Sequence, residues 1–236
     1  MIRMMKMELV VFKKYLKQLV LTLVFVAAGL AIGMGTLNSI PGTAFLMLMF
    51  STAVAGAAYD EQNAWDAYRL VMPVSRRDIV FGRYAFNLLV ACGAAVLATA
   101  FVAVLIGIGT VAPLPVFLEK IVTVEEGELA GMAAAFVTCA CIGLVMSTFT
   151  LPAYFKLGQT KATQWLPFIV LGISIAPMLA IAAFGGPLLE QLQSVAEVAA
   201  TSNGPMLIAI ASLGISLAAY VASAFVAVKL YEARDM

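Results

Sequence analysis

The sequence predicts an all-α, polytopic membrane protein that forms one transmembrane domain over residues 1–236. Two features of composition predict this class: 63% of the residues are hydrophobic and only 11% are charged. The third is a series of long apolar runs separated by short polar segments, since a run of roughly 20 apolar residues is what a helix needs to cross a bilayer. A soluble core requires far less apolar surface than this chain carries.

The apolar runs predict six transmembrane helices. Each run has roughly 18 to 25 residues, enough to cross about 30 Å of hydrocarbon. A tight turn at Asn38–Pro41 separates the first two runs, and a longer loop at Gly109–Glu128 follows the third. The predicted spans are Gln18–Leu37, Gly42–Tyr59, Tyr84–Ile108, Leu129–Phe149, Trp165–Phe184 and Met206–Val228.

The first 17 residues predict an amphipathic helix at the membrane interface. Its basic residues share one face of a helical wheel and its large apolar residues share another, which is typical of a helix lying on an anionic lipid surface. A signal peptide is the alternative. The long apolar run that follows, without a clear small-residue cleavage site, favours the interfacial helix. Of the five basic residues in this segment, the four that share a face are Arg3, Lys6, Lys13 and Lys17.

Lysines and arginines predict which loops face the cytoplasm. With six spans, four segments share a side of the membrane: the N-terminal helix, the loop 60–83, the loop 150–164 and the C-terminal tail. Of the 14 lysines and arginines, only Lys120 lies outside these four segments. The positive-inside rule therefore places both termini in the cytoplasm and the chain in the cell membrane.

The loop between the second and third predicted spans is the longest hydrophilic interruption of the chain. We expect Asp60 to cap the N-terminus of a short surface helix with Glu61 in its first turn, where the helix dipole favours a carboxylate. Trp65 and Tyr68 share an apolar face of this helix. Pro73 ends that helix because proline lacks an N–H donor. Ser75–Asp78 has the pattern of a capping box, which predicts the start of the third membrane helix.

Several functions are disfavoured by what the sequence lacks. The absence of histidine removes His-assisted nucleophilic catalysis and most metal sites. The three cysteines lie in apolar runs, and their spacing fits neither a disulfide nor a metal site. Gly158–Lys161 lacks the first glycine of a phosphate loop. We therefore expect a chain without catalytic activity and without a cofactor, metal ion or nucleic-acid partner of its own.

Two features of the predicted spans bear on transport. We expect no Asp, Glu, Lys or Arg inside them, which disfavours a proton-coupled transporter. Gly29 and Gly33 form a small-residue packing motif in the first span. For this motif, close packing within the chain is favoured over a dimer seam.

Three polar patches resemble the membrane permeases of type 2 ABC exporters, in particular the six-span branch that includes phenol-soluble modulin exporter permeases. The resemblance covers about a sixth of the chain, and the order of the patches relative to the spans also fits. Met72 stands where the family usually has leucine, and Thr163-Gln164 stands where a basic residue is common. The patches are Trp65–Tyr68 with Met72–Arg76 and Arg83–Tyr84, then Pro152–Ala162, and finally Lys229–Asp235.

The resemblance implies a half-transporter. It would pair with a second permease copy, as a homodimer or heterodimer, and with two separate ATPase subunits that bind ATP and Mg. The loop 60–83 would then carry a coupling helix that docks on the ATPase, with Trp65 and Tyr68 as buried anchors. The resemblance assigns seven residues to ATPase coupling: Glu61, Trp65, Asp66, Tyr68, Arg69, Pro73 and Arg76. In the second cytoplasmic loop it singles out Tyr154, Lys156, Gly158 and Lys161.

The cargo follows from the same resemblance and from the apolar interior. Spans rich in Met, Phe and Ala favour an amphipathic or lipid-like cargo, and the resemblance implies short amphipathic peptides, exported from the cytoplasm or the inner leaflet. The alternative is a non-transporting membrane anchor or sensor subunit of a signalling or antimicrobial-peptide immunity complex. The predicted surface helix could equally lie on lipid or on its own bundle.

Overall fold

The computed structural model describes residues 2–34, 37–62, 75–111, 128–158, 160–165 and 204–233, and single positions between 167 and 185. Within these residues it contains five long α-helices and no strand. The all-α class predicted from sequence is confirmed for this part of the chain. The helices are α1 (Ile2–Met34), α2 (Ile40–Gln62), α3 (Arg76–Val111), α4 (Glu128–Leu157) and α5 (Gly204–Glu232).

All five helices are long and apolar enough to cross a membrane. Five of the six predicted spans therefore have a helical counterpart. The remaining predicted span, Trp165–Phe184, lies mostly outside the described residues, and the single positions described there are helical. A sixth span stays a prediction. The segments that qualify are Leu16–Gly33, Ile40–Glu61, Arg76–Gly109, Ala130–Leu157 and Met206–Glu232.

The relative direction of α4 and α5 sets the topology of the second half of the chain. Ser223 of α5 donates a hydrogen bond to the backbone oxygen of Thr148 in α4 at 2.7 Å. Further along both helices, the rings of Phe155 and Tyr231 lie 5.4 Å apart. The contacting residue numbers increase in the same direction along both helices, so α4 and α5 are parallel. The C-terminal end of α4 and the N-terminal end of α5 therefore lie at opposite ends of the bundle, about 40 Å apart for helices of this length.

Helix α2 is the centre of the bundle, because it packs against α1, α3 and α4. Small residues allow this close approach. A Cβ atom added to Gly42 would lie 3.0 Å from the backbone of Ala135 and Phe136 in α4. Transmembrane helices associate by van der Waals packing, so small residues at their contacts are expected. The buried alanines of α2 are Ala44, Ala53 and Ala57.

Helix α1 joins two elements that the sequence predicts as separate. The predicted interfacial helix and the first span form one unbroken helix, Ile2–Met34. Glycine and proline are absent from residues 2–28 of this helix, so nothing in the sequence interrupts it at the predicted boundary. Met4 and Glu8 are buried, 1% and 4% exposed. The start of α1 therefore packs on the bundle.

The two glycines of the first span do not make the contact predicted for them. Among the described residues, no atom lies within 4 Å of a Cβ added to Gly29 or to Gly33. Close packing of this motif within the chain, which the sequence favours, is therefore wrong for the part of the chain that the structure describes.

Helix α2 extends through the position where the sequence predicts a new helix to begin. It ends at Gln62, so Asp60 lies in its last turn and is not an N-cap. The predicted surface helix at 63–74, with Pro73, lies outside the described residues. Helix α3 begins as predicted: Ser75 Oγ accepts a hydrogen bond from the backbone N–H of Asp78 at 3.1 Å and donates to its carboxylate at 2.8 Å.

The predicted loop 150–164 is mostly helical. Helix α4 continues to Leu157 with Pro152 inside it. Proline frees the carbonyl four residues earlier, at Thr148, and Ser223 of α5 takes that carbonyl as its acceptor. Gly158 then adopts a φ of 79°, the left-handed conformation that commonly ends a helix. Residues 160–165 are helical again.

Candidate functional site

Five helix ends meet at one end of the bundle, which is called the Arg83 end below. It is formed by the first turns of α1 and α3 and by the last turns of α2, α4 and α5. The polar contacts of this end involve all five helices. It also adjoins residues 63–74, which join α2 to α3.

The centre of the Arg83 end is a buried ion-pair cluster of Glu8, Asp60 and Arg83. Arg83 Nε and Nη2 both donate to Glu8 Oε1, at 3.2 and 2.9 Å. The same Nη2 lies 2.6 Å from Asp60 Oδ2. The side chains of Arg83, Glu8 and Asp60 are 7%, 4% and 6% exposed. One guanidinium thus ties α3 to both α1 and α2.

The surroundings of Arg83 explain why this position carries arginine. Its guanidinium lies over the ring of Phe155, 5.6 Å from the centroid. On α2, a Cβ added to Gly56 would lie 3.4 Å from Arg83 Cζ. The planar group fits between an aromatic face and a residue without a side chain, and its fork reaches two carboxylates at once. A lysine ammonium would offer neither the flat surface nor the fork.

Glu61 links the end of α2 to the helical segment that starts at Thr160. Its Oε2 accepts the backbone N–H of Thr160 at 2.8 Å, and its Oε1 accepts the Thr160 hydroxyl. A carboxylate at a helix N-terminus satisfies an otherwise unpaired N–H and interacts favourably with the helix dipole. Glu61 therefore acts as an N-cap in trans, for a helix of another segment. Sequence reasoning places it in the first turn of its own helix, which is wrong.

Arg76 links the start of α3 to the end of α5. Its Nη1 donates to the backbone oxygens of Tyr231 and Glu232, both at 2.9 Å. Its guanidinium also lies 5.7 Å from the centre of the Tyr231 ring. A cation on the last carbonyls of a helix is favourable. The neighbouring pair of Arg77 and Glu232, at 3.2 Å, is exposed and contributes little.

Tyr84, directly after Arg83, fixes α3 to α5 below the charged cluster. Its hydroxyl lies 2.9 Å from Ser223 Oγ. The Ser223 hydroxyl already donates its hydrogen to the Thr148 carbonyl. Tyr84 is therefore the donor in its bond with Ser223. Tyr220 donates to the backbone oxygen of Tyr84 at 3.0 Å. The basic-aromatic pair of the third predicted helix thus has two separate structural roles.

A cavity of about 420 Å³ opens between these elements. Its wall combines two acidic and two basic side chains with three aromatic rings, so the lining is both polar and apolar. The charged residues that line it are Asp60, Glu61, Arg83 and Lys161, and the rings are those of Tyr154, Phe155 and Tyr231. Within the described residues, no group of three or more His, Cys, Asp or Glu side chains could hold a metal ion.

The structure brings together six of the eleven residues assigned from sequence. Glu61 and Arg76 make the helix-capping contacts described above, and neither contact is one with a partner protein. Tyr154 is buried and Lys156 is exposed. Gly158 breaks the helix, and Lys161 lines the cavity. The other five lie outside the described residues: Trp65, Asp66, Tyr68, Arg69 and Pro73.

Sequence reasoning missed the ion-pair cluster. It assigned Asp60 to a cap, gave Glu8 no role and treated Arg83 only as part of a motif. One signal was available: Glu8 is the single acidic residue among the first 17, in a helix otherwise rich in lysine. A carboxylate does not fit a segment that is predicted to lie on anionic lipid. The structure explains its presence, because Glu8 pairs with the buried Arg83.

The sequence model of the ABC-2 family transporter proteins matches residues 3–232, nearly the whole chain. The chain belongs to this family. Neither a curated protein nor a solved structure matches it. As an ABC-2 family transporter protein it is a multi-pass membrane component of an ABC transporter, a class that is typically non-catalytic and works with an ABC ATPase. The narrower resemblance to peptide exporters stays a prediction.

Proposed function

We propose that this ABC-2 family chain is the permease half of an ATP-driven exporter whose energy comes from a separate ATPase subunit. Two permease copies and two ATPases would form the working transporter, with ATP and Mg bound only by the ATPases. The observation that carries the proposal is the arrangement of contacts around residues 63–74. On either side of this segment, charged side chains tie the adjoining helix ends to α1, to α5 and to the segment at Thr160.

This arrangement suits a coupling element. A segment that receives force from an ATPase must pass it to the membrane helices, and a loosely attached loop would absorb the movement. Asp60 and Glu61 anchor the side of α2, while Arg76 and Arg83 anchor the side of α3. A displacement of residues 63–74 would therefore move several helix ends together, as rigid-body transitions between packed states require.

We place the Arg83 end in the cytoplasm. The basic residues that predict this orientation belong to the N-terminal segment, the loop 60–83, the second loop and the C-terminal tail. The described parts of all four meet at the Arg83 end, which supports their common side. Because lysine and arginine are retained on the cytoplasmic side of membrane proteins, this end faces an ATPase in the cytoplasm.

For the cargo we propose amphipathic peptides or similarly hydrophobic molecules. The helix surfaces are apolar over most of their length, and the charged side chains of α2 and α3 are confined to the Arg83 end. Sugars and ions would need polar groups along the path through the membrane. An amphipathic molecule taken from the cytoplasm or the inner leaflet can follow an apolar path.

The test of the proposal is the substitution Trp65→Ala. As a central aromatic anchor it should contribute at least about 2 kcal/mol to binding the ATPase, so its loss should weaken the complex more than about tenfold. Membrane insertion should be unchanged, because the residue lies outside the predicted spans. The measurement is the affinity of the permease, in nanodiscs, for the ABC ATPase that co-purifies with the parent, followed by ATP turnover.

Gln62→Ala is the matched control, three residues away, and should bind like the parent. The permease alone and the ATPase alone complete the series, and the permease alone should hydrolyse no ATP above a mock preparation. If Trp65→Ala and Tyr68→Ala bind and stimulate the ATPase normally, docking through residues 63–74 is wrong. If the parent neither binds an ATPase nor stimulates turnover, the anchor or sensor alternative replaces the exporter.

A further inference from the structure

Glu8 is the most unexpected member of the Arg83 end. It belongs to a segment whose basic residues indicate contact with lipid, yet its side chain is 4% exposed and faces the interior of the bundle. On the same helix Lys6 and Lys13 are exposed. The buried carboxylate bonds to Arg83 of α3, seventy-five residues further along the chain.

The geometry of the cluster shows what Glu8 does to Arg83. Phe155 and Gly56 both lie against the guanidinium, but these contacts leave the flat group free to rotate within its own plane. Glu8 removes that freedom, because a single oxygen, Oε1, takes hydrogen bonds from both Nε and Nη2. With the plane and the rotation fixed, Nη2 points at Asp60 Oδ2 at 2.6 Å.

Glu8 thus orients the Asp60–Arg83 ion pair, which connects the two helix ends that the proposed coupling loop, residues 63–74, joins. Asp60 lies two residues before the end of α2, and Arg83 lies in the second turn of α3. Residues 63–74 leave from the first helix and return to the second. The Asp60–Arg83 contact lies close to both attachment points and adds a charged link to the packing of α2 against α3.

We propose that Glu8 is a positioning residue for energy coupling: through Arg83 it holds the end of α2 against the start of α3, so that force on residues 63–74 reaches the bundle. This role deepens the proposed exporter function and rests on it. The first turns of α1 are then part of the coupling base. Glu8 itself need touch neither cargo nor ATPase.

The first test measures the base of the loop directly. Spin labels at Gln62 and Arg77, in a background with the three cysteines replaced by alanine, report the distance between the end of α2 and the start of α3. In the parent we expect one narrow distance distribution. Glu8→Gln should broaden it, because a neutral amide cannot fix the guanidinium as a carboxylate does. Lys13→Gln, an exposed change on the same helix, should leave it narrow.

Glu8→Gln is expected to fold, because the Asp60–Arg83 pair remains. Arg83→Lys is the second variant: it keeps the positive charge but cannot bond both carboxylates through a planar fork, so it should broaden the distribution in the same way. An unchanged distribution in both variants overturns the positioning role. This result is independent of any ATPase.

The second test separates positioning from simple stability. With the permease in nanodiscs, the ABC ATPase that co-purifies with the parent is titrated to saturation, which gives affinity and maximal ATP turnover separately. For Glu8→Gln we expect affinity near that of the parent and turnover about three- to tenfold lower, a size typical of residues that modulate coupling without touching a ligand. Lys13→Gln should match the parent in both quantities.

Two results contradict the proposal. Turnover that falls only in proportion to the amount of folded protein assigns Glu8 a role in stability alone. A broadened distance with normal turnover shows that the Asp60–Arg83 contact does not transmit coupling. Failure of the parent itself to bind or stimulate the ATPase overturns the proposed exporter function instead, and is distinguishable because the spin-label comparison still reports on Glu8.

Discussion

Arg83 illustrates how much one buried side chain can decide in a membrane bundle. Transfer of a charge from water into a protein interior costs several kcal/mol unless partners offset it. Arg83 has two carboxylate partners, from α1 and α2, and an aromatic face from α4. Its surroundings are therefore assembled by three other helices. Because the Arg83 guanidinium needs partners from all three helices to be buried, it also holds these helices together.

At this scale we predict a strong asymmetry between the members of the cluster. Arg83→Gln should destabilise the protein by about 3–5 kcal/mol, because it leaves two buried carboxylates without the cation they share. Glu8→Gln and Asp60→Asn should each cost much less, since each leaves an ion pair intact. The measurement is unfolding in mixed micelles. The triple variant Glu8→Gln, Asp60→Asn, Arg83→Gln should recover part of the loss, and a triple variant as unstable as Arg83→Gln would contradict this account.

At the scale of elements, the junction at Gly158 controls where α4 stops. Helix α4 could continue in register, because a proline inside it is already accommodated by Ser223. Gly158 instead turns the backbone into the left-handed region, and Glu61 caps the segment that begins at Thr160. The carboxylate of α2 and the glycine of α4 thus cooperate in one change of direction. The sequence assigned Glu61 to ATPase coupling and Gly158 to the second cytoplasmic loop, and each has this intramolecular role.

We predict that Gly158→Ala lowers stability by about 1–2 kcal/mol, because an L-residue in the left-handed region brings its Cβ too close to the backbone. The matched control is Gly29→Ala. Gly29 lies in a helix, and nothing lies within 4 Å of its added Cβ, so this change should be neutral or slightly stabilising. Thermal unfolding of both variants in one detergent measures the difference. Equal effects of the two substitutions would show that the φ of Gly158 is not a constraint.

At the scale of the whole molecule, the parallel pairing of α4 and α5 fixes how the chain crosses the bundle. Contacts between Thr148 and Ser223 and between Phe155 and Tyr231 place the C-terminal ends of these helices together. The first turn of α1 lies at the same end, through Glu8. Both ends of the described chain are therefore on one side. Six spans, the number predicted from the sequence, would also place both ends on one side.

This topology predicts the result of cysteine labelling. A probe cysteine at Glu126, in a cysteine-free background, should react with an impermeant thiol reagent added outside intact cells, because this acidic loop is predicted to lie outside. A probe at Gln62 should react only after the cells are permeabilised, because it lies at the end that carries both termini. The reverse pattern would invert the orientation. Labelling of both sites from outside would contradict the common topology.

What the sequence by itself determined is the class of the protein and most of its helices. Apolar runs long enough for a bilayer leave helices as the available structure, since every backbone polar group must be satisfied within the segment. The capping box at Ser75–Asp78 marked the start of α3, because its contacts span only three residues. Local pattern is sufficient wherever the deciding interaction is local.

Tertiary structure alone decided the roles of Glu8, Asp60 and Glu61. A carboxylate near a helix end can cap its own helix, cap another one or pair with a distant cation, and these choices have similar local patterns. The choice depends on which group lies within about 3 Å after the helices have packed. For Asp60 that group is Arg83, and for Glu61 it is Thr160, 99 residues away. The pairing of charged residues that are far apart in sequence is decided by how the helices pack. The spacing of residues along one helix does not encode that packing.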